Sequence, residues 1–172
     1  MTVTIGKPVD DFTAKATSGI SVSLKDLKGK TNFVLYFYPK DNTPGCTSEG
    51  QAFAENLDAF KEADTIIFGV SKDTMKAHEN FKAKYEFPFE LISDSNEELC
   101  KLFDVIRLKK MYGKEFMGIE RSTFLIDKEG TLQHEWRKVR IKNHVEDVLQ
   151  AAQALEGMVE PITSTLDKSS DN

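Results

Sequence analysis

One cysteine lies where a protein chain can make a thiol reactive. Cys46 follows an apolar, aromatic run at 33–38 and a short polar loop that ends in Thr43-Pro44-Gly45. A helix-like pattern begins directly after it, so the sequence predicts a buried strand, a tight turn and a cysteine at the start of a helix. A thiol attacks only as the thiolate, and the unpaired N–H groups of a helix N-terminus favour the ionised sulfur. Cys46 is therefore the candidate nucleophile.

The residues that flank Cys46 suit this chemistry. Gly45 lets the backbone come close without a side chain in the way, and Pro44 stiffens the turn. The Thr43 hydroxyl can accept a hydrogen bond from a thiol or donate one to an oxygen. The alternative is a structural cysteine, because free cysteine often packs as a small hydrophobe. The small and polar neighbours of Cys46 favour the reactive interpretation.

The elements that must position Cys46 alternate along the chain. Short apolar runs indicate strands, and apolar residues at helical spacing indicate helices. We predict strands at 9–17, 20–22, 33–38, 65–71, 90–93, 122–127 and 131–139, and helices at 23–27, 47–63, 74–85, 96–103 and 144–155. The region 105–118 is the least regular and is predicted to be a loop or a loose hairpin. This order indicates an α/β sandwich with a mixed sheet.

Length, charge and cysteine count limit the class of protein. A chain of 172 residues with 40% hydrophobic residues predicts one domain at 1–157, followed by a flexible tail at 158–172. A net charge of −5 argues against nucleic-acid binding, and no apolar run is long enough for a membrane span. The N-terminus lacks the pattern of a signal peptide, and two cysteines suit a reducing compartment. We therefore expect a cytoplasmic protein.

The other chemistry-bearing residues show weaker patterns. His78, His134 and His144 have no ligand spacing with one another or with the cysteines, so we expect no metal and no bound cofactor. His78 is expected on an exposed helix face. The basic residues of 105–118 are expected to be solvated, with contact to a partner as the alternative.

Pro39, Thr43 and Cys46 fit the P-x-x-x-T-x-x-C signature of the peroxiredoxins. The stretch FYPKDNTPGCTSEGQAF resembles the Q-type branch, the bacterioferritin comigratory protein (BCP) group. Further matching segments lie at 69–71, 78–81, 91–94 and 120–126. Together these motifs cover the chain to about Leu155. The resemblance implies a thioredoxin-like fold, with a mixed central β-sheet flanked by helices.

The resemblance also implies an activity and a set of site residues. Peroxiredoxins reduce hydrogen peroxide and alkyl hydroperoxides in antioxidant defence, and here Cys46 would become a sulfenic acid. The family implies that the Thr43 hydroxyl, nearby backbone N–H groups and Arg121 stabilise the reacting oxygens, while Pro39 shields the thiolate. Taken singly, Arg121 fits a surface ion pair with Glu120, Thr43 a turn residue and Pro39 a strand terminator.

Cys100 raises the question of how the sulfenic acid is reduced. Q-type members carry a resolving cysteine at the position of Gln51 or of Lys82, and neither position holds a cysteine here. Cys100 lies in a predicted amphipathic helix, where a packed thiol is the usual case. We therefore favour a one-cysteine mechanism with thioredoxin, glutaredoxin or a small thiol as reductant, acting on a monomer. A two-cysteine peroxidase that uses Cys100 is the alternative.

Other functions use the same cysteine differently. A thiol–disulfide oxidoreductase needs C-x-x-C, and Glu49 occupies the position of the second cysteine. A Cys–His hydrolase would need a histidine near Cys46 in space, which spacing along the chain leaves open. A redox sensor or holdase would use the same oxidisable thiol without turnover.

Overall fold

A five-stranded sheet forms the centre of the structure, a computed structural model that describes residues 3–158. The strands are β1 (Thr13–Lys15), β2 (Ser21–Ser23), β3 (Asn32–Phe37), β4 (Thr65–Ser71), β5 (Glu90–Ser93), β6 (Ile106–Met111), β7 (Lys114–Ile119), β8 (Ser122–Ile126) and β9 (Leu132–Trp136). The helices are α1 (Leu24–Leu27), α2 (Pro44–Glu55), α3 (Leu57–Glu62), α4 (Met75–Tyr85), α5 (Glu98–Leu102) and α6 (His144–Leu155).

The central sheet is mixed, as the sequence predicts. Its order is β5-β4-β3-β8-β9. Strands β3, β4 and β5 are parallel, whereas β8 is antiparallel to β3, and β9 to β8. Two further ribbons, β1–β2 and β6–β7, lie outside this sheet. The prediction of an α/β fold with a mixed sheet flanked by helices is confirmed.

Strand β3 separates two hydrophobic cores. All six of its residues are buried, and successive side chains point to opposite faces of the sheet. Phe33, Leu35 and Phe37 belong to one core, whereas Val34 and Tyr36 belong to the other. Helices α2, α3, α4 and α6 contribute residues to the core of Val34 and Tyr36, and α5 contributes to the core of Phe33.

The structure corrects the bounds of one predicted helix and bears out the hairpin alternative for region 105–118. The helix predicted at 47–63 begins earlier, at Pro44, and is interrupted at Asn56. The Asn56 side-chain amide donates to the Ala52 carbonyl at 2.9 Å, so it competes with the backbone bonds that would continue the helix. The irregular region 105–118 is a regular antiparallel ribbon, β6–β7, because its residues pair along its whole length.

Two sequence predictions concern the ends of the chain and its relation to membranes. The flexible tail predicted at 158–172 lies outside the described residues except for Met158. Within 3–158, every helix is too short or too polar to cross a bilayer.

Gly50 lets α2 pack directly on an aromatic cluster. A Cβ atom at this position would lie 2.6 Å from Cζ of Phe87. The Phe87 ring is 2% exposed and cannot move aside, because it packs against Phe81, Tyr85 and Phe89 at centroid distances of 5.0, 5.9 and 5.2 Å. Gly50 therefore sets how closely the helix that carries Cys46 approaches the core.

Gly50→Ala should destabilise the protein by about 1–3 kcal/mol, the usual cost of overpacking a core. Helix propensity alone predicts the opposite sign, since alanine is favoured over glycine inside a helix. Urea unfolding of Gly50→Ala in the parent and in a Phe87→Leu background measures the effect. The shorter leucine should remove part of the cost, and an unchanged cost in both backgrounds would contradict the proposed clash.

Candidate active site

Cys46 lies in the first turn of α2, on the helix face that points into the core. The buried residues of α2 are Cys46, Glu49, Gly50 and Phe53, which are spaced as one face of a helix requires. Cys46 is 1% exposed and its thiol is free. The predicted strand, turn and helix around this cysteine are confirmed, and the sulfur is closed off from bulk solvent.

The loop before α2 is closed by its own polar groups. The Thr43 hydroxyl donates to the Lys40 carbonyl at 2.8 Å and makes no capping bond to the helix. The Thr43 carbonyl accepts from the Thr47 N–H at 2.9 Å, so Thr43 lies at the start of the helical hydrogen-bond pattern. Pro39 is half-buried and directly follows β3 and Tyr38. Both residues lie in the loop that leads to Cys46.

Arg121 lies next to the Cys46 sulfur, although 75 positions separate the two residues. Its Nη2 donates to Sγ at 3.4 Å. Strand β8 begins one residue after Arg121 and pairs with β3, with Ser122 opposite Phe37, which places Arg121 at the end of β3. The structure therefore brings together the cysteine and the arginine that the sequence selects.

The partner of Arg121 is Glu49, whereas the sequence suggested Glu120. Nη1 of Arg121 donates to Oε1 of Glu49 at 2.6 Å, and the Glu49 side chain is fully buried. Sequence reasoning missed Glu49 as a site residue. The available signal was a carboxylate three residues after Cys46, on the apolar face of the same helix.

Burial dominates the electrostatics of this pair. Desolvation raises the pKa of Glu49 to about 7, although the charge of Arg121 and its hydrogen bond act in the opposite direction. The second carboxylate oxygen, Oε2, is buried and has no hydrogen-bond partner among the described residues. Burial works to lower the pKa of Arg121, but Glu49 and Cys46 outweigh it and raise that pKa. Arg121 thus stays charged beside the sulfur.

Gly45 allows the close approach of Arg121. A Cβ atom at Gly45 would lie 3.2 Å from Nη2 of Arg121 and 3.4 Å from Cδ1 of Ile141. A side chain here would therefore press on the guanidinium that contacts Cys46. The sequence-based role of Gly45, an open backbone beside the sulfur, agrees with this spacing.

A neutral histidine lies near enough to Arg121 for the guanidinium charge to affect its pKa. His144 Nε2 is 2.8 Å from Oγ1 of Thr123, and its ring packs edge-on against Phe53. Burial, and then the charge of Arg121, lower the pKa of His144 to about 4. The imidazole is therefore uncharged at neutral pH and adds no positive charge to the site.

Cys100 lies on the opposite face of the sheet from Cys46. It belongs to the core of Phe33, whereas Cys46 belongs to the core of Tyr36. Its backbone N–H donates to Oδ2 of Asp94 at 2.8 Å, and burial raises the pKa of its thiol. Cys100 therefore has the environment of a packed, unreactive thiol.

The prediction that His78 is exposed is wrong. The side chain is fully buried, with Nδ1 2.6 Å from Oδ2 of Asp41 and Nε2 2.9 Å from the Ile92 carbonyl. Asp41 also accepts from the Tyr38 hydroxyl at 2.7 Å. Acceptors face both ring nitrogens, so both nitrogens are engaged in the network. This network ties the loop before Cys46 to α4 and β5.

Asp73 joins His78 and Asp41 in a group whose carboxylate and imidazole atoms lie within 4.8 Å of one another. Such spacing resembles a cation site, which the sequence did not suggest. Asp73 Oδ2 accepts from the backbone N–H of Asp41 at 3.0 Å and from the Ser71 hydroxyl. Both nitrogens of His78 are already engaged, so no ring lone pair is left for a metal. The group is complete as a hydrogen-bond network.

Comparisons with known proteins agree with this fold. Residues 5–135 match the family described as AhpC/TSA. The chain is 53% identical over 150 residues to Peroxiredoxin Bcp of Bacillus subtilis, covering 87% of this chain and 95% of that protein. A solved structure of the Xanthomonas campestris bacterioferritin comigratory protein, described in connection with its alkyl peroxide reduction activity, is 46% identical with a TM-score of 0.79. The match covers 84% of this chain and 91% of that one.

A second solved structure extends the match. A cysteine-to-serine mutant of Xylella fastidiosa PrxQ superimposes with a TM-score of 0.85 at 39% identity, covering 91% of this chain and 99% of that one. These likenesses confirm the predicted thioredoxin-like fold.

Glu49→Gln should remove a pH dependence from the free energy of unfolding. The folded pKa of about 7 lies above the ordinary value of 4.5, so Glu49 favours folding at low pH and this contribution is lost as pH rises from 4.5 to 7. The loss corresponds to about 3 kcal/mol. Urea unfolding measured at several pH values between about pH 4 and pH 8 gives the free energy of unfolding of each protein. The difference between the parent and Glu49→Gln should change across this window. Glu55→Gln, an exposed change on the same helix, should run parallel to the parent, and an equally parallel Glu49→Gln would contradict the argument.

His78→Gln should destabilise the protein by about 3 kcal/mol, because it removes a buried hydrogen-bond partner of the Asp41 carboxylate. Lys72→Gln is the matched control, since it removes an ion pair with Glu97 in which both side chains are 32% exposed. Such a pair contributes about 1 kcal/mol at most. Urea unfolding at pH 7 compares the two, and equal small losses would contradict the expected contribution of the buried network around His78.

Proposed function

Because the chain belongs to the AhpC/TSA family and is a peroxiredoxin of the Bcp/peroxiredoxin Q group, we propose that Cys46 is its peroxidatic nucleophile. Peroxiredoxins are thiol peroxidases, so the enzyme is an oxidoreductase that takes electrons from a thiol, generally thioredoxin. The observation that carries the proposal is the 3.4 Å contact between Nη2 of Arg121 and the Cys46 sulfur at the start of α2. A fixed guanidinium at this distance stabilises the thiolate that attacks.

In the first step, the Cys46 thiolate attacks the terminal oxygen of a hydroperoxide. The O–O bond breaks, the terminal oxygen passes to sulfur with its hydrogen as a sulfenic acid, and the second oxygen leaves and takes a proton from water to become water or an alcohol. Negative charge spreads over the sulfur and both oxygens during this step. Arg121 and the backbone N–H groups at the start of α2 are the donors that stabilise this charge.

We assign supporting roles to Thr43 and Pro39. The Thr43 hydroxyl, which donates to Lys40 in the free enzyme, would turn to the peroxide when substrate enters. Pro39 has no N–H and lies half-buried between β3 and the loop, which suits a residue that limits water around the thiolate. Both assignments follow the family signature that these residues share with Cys46.

In the second step, an external thiol reduces the sulfenic acid. A Cys46–Cys100 disulfide would require the Cα atoms to approach within about 7 Å. The two residues lie in cores on opposite faces of the sheet, and β3 is buried between them. This separation supports a one-cysteine mechanism over a two-cysteine enzyme that uses Cys100, with thioredoxin, glutaredoxin or a small thiol as the reductant.

The substrates are hydrogen peroxide and alkyl hydroperoxides. The alkyl class is supported by the Xanthomonas campestris relative, whose structure is described in connection with alkyl peroxide reduction. The wider proposal is antioxidant defence by a monomer in the cytoplasm, a reducing compartment that keeps Cys46 and Cys100 as free thiols.

Cys46→Ser should abolish peroxide consumption with dithiothreitol as reductant, because serine cannot act as the nucleophile. Cys100→Ala should keep at least about half of the parent kcat, because the proposed route does not use that thiol. Peroxide consumption over many turnovers measures both variants. Oxidation with one equivalent of hydrogen peroxide and a sulfenic-acid trap should label Cys46 alone.

Two results would contradict the proposal. A Cys46–Cys100 disulfide in peptide masses, together with loss of thioredoxin turnover in Cys100→Ala, would establish a two-cysteine enzyme. A single oxidation without turnover by any thiol would instead favour a redox sensor or holdase.

A further inference from the structure

The hairpin formed by β6 and β7, residues 106–119, exposes more apolar side chains than any other described part of the chain. Tyr112 at its tip is 96% exposed, and four further side chains are between 42% and 59% exposed. These four are Leu108, Met111, Phe116 and Met117. The remaining exposed large hydrophobics within 3–158 are scattered, at Ile5, Ile20, Ile66 and Met158. A clustered apolar surface of this kind marks an interaction site.

The strand register puts apolar side chains on both faces of the hairpin. Leu108 lies opposite Met117, and Lys109 lies opposite Phe116, so the two pairs point to opposite faces. β6 and β7 pair only with each other among the described residues. A two-stranded ribbon is only marginally stable by itself. Its exposed apolar side chains are not explained by packing into a core of the ribbon's own.

The same hairpin concentrates positive charge on an acidic protein. It carries Arg107, Lys109, Lys110 and Lys114 against a single acid, Glu115, whereas the whole chain has a net charge of −5. The Lys110–Glu115 pair is 3.5 Å apart with both side chains mostly exposed, so salt screens it strongly. The surface thus suits a partner that is both apolar and acidic.

The hairpin ends close to Arg121, the residue that contacts the Cys46 sulfur. β7 ends at Ile119, two residues before Arg121, which contacts Cys46. Lys109 is half-buried, and its pKa is lowered by burial and then by the charge of Arg121, while Cys46 acts in the opposite direction. The face of the hairpin that carries Lys109 therefore borders the active site.

We propose that the 106–119 hairpin is the docking surface for the protein that reduces Cys46, a small thiol protein whose surface around its reactive cysteine is apolar and acidic. The inference rests on the proposed one-cysteine mechanism. Cys100 lies in the core on the other face of the sheet from Cys46, so the reducing thiol comes from outside the chain. A lipid surface or a second copy of this chain would fit the apolar residues but would bring no reducing dithiol to the sulfenic acid.

The docked partner completes the cycle with balanced chemistry. Its thiolate attacks the sulfenic sulfur of Cys46, the S–O bond breaks, and the hydroxyl takes a proton and leaves as water. The product is a mixed disulfide. A second thiol of the partner then attacks the partner's own sulfur, which releases the Cys46 thiolate and leaves the partner oxidised to a disulfide.

Steady-state kinetics with reduced thioredoxin as the probe test this surface. An apolar variant, Met111→Thr with Tyr112→Asn, and a charge variant, Lys110→Glu with Lys114→Glu, change exposed residues away from Cys46 and Arg121. Asparagine tolerates the left-handed backbone of position 112, where φ is 54°. Ile66→Ser and Lys61→Glu are matched controls on exposed positions of β4 and α3.

Each hairpin variant should lower kcat/KM for thioredoxin about tenfold, the effect of losing one important interface contact. Because the two half-reactions are separate, kcat/KM for hydrogen peroxide and turnover with dithiothreitol should stay within about twofold of the parent. Higher ionic strength should lower kcat/KM for thioredoxin in the parent and much less in the charge variant. The control variants should match the parent in every assay.

Three outcomes would overturn the docking proposal. One is an unchanged kcat/KM for thioredoxin in both hairpin variants, and the second is an equal loss with dithiothreitol, which would show general damage. The third is a parent dimer in size-exclusion chromatography that the variants convert to monomer, which would assign the hairpin to self-association. Failure of the proposed function is distinguishable, because the parent would then fail to turn over peroxide with any thiol.

Discussion

Arg121 contacts both groups that define the site, the Cys46 sulfur at 3.4 Å and the Glu49 carboxylate at 2.6 Å. A guanidinium stays charged inside a protein, so it needs partners wherever water is excluded. Glu49 fixes its planar head, and this leaves Nη2 directed at the sulfur. Glu49 is itself fully buried, so desolvation raises its pKa to about 7 and its charge changes around neutral pH. The charge state of the active centre is thereby coupled to the stability of the fold.

The sheet makes this contact possible and also separates the two cysteines. Strand β3 leads to the loop of Cys46, and its neighbour β8 starts one residue after Arg121, so the two meet at one end of the sheet. The same strand is buried on both faces, and Cys100 packs against the face that Cys46 does not use. The Cys46 thiol therefore lies beside the Arg121 guanidinium at the start of a helix, and the Cys100 thiol lies in a hydrophobic core. Their different chemistry follows from the layer in which each one lies.

The surroundings of the site are rigid on one side and open on the other. Tyr38, Asp41 and His78 form a buried network that joins the loop before α2 to the neighbouring helix and strand. The 106–119 hairpin, which precedes Arg121 in the chain, instead leaves apolar and basic side chains in solvent. In the proposed mechanism, the fixed network would serve the attack on peroxide, and the exposed hairpin would serve the exchange of partners. The proposed division between substrate chemistry and reductant binding follows this contrast.

The sequence by itself determined the mixed α/β order, the buried strand before Cys46 and the candidate pair of Cys46 and Arg121, because these depend on local patterns and on a family signature. It did not determine the partner of Arg121, for which it suggested the neighbouring Glu120, nor the burial of His78. Only the tertiary structure decided these, and it alone put Cys100 behind the sheet. The physical reason is that a polar or charged side chain is buried only where distant segments supply its partners, and spacing along the chain carries no record of which segments meet.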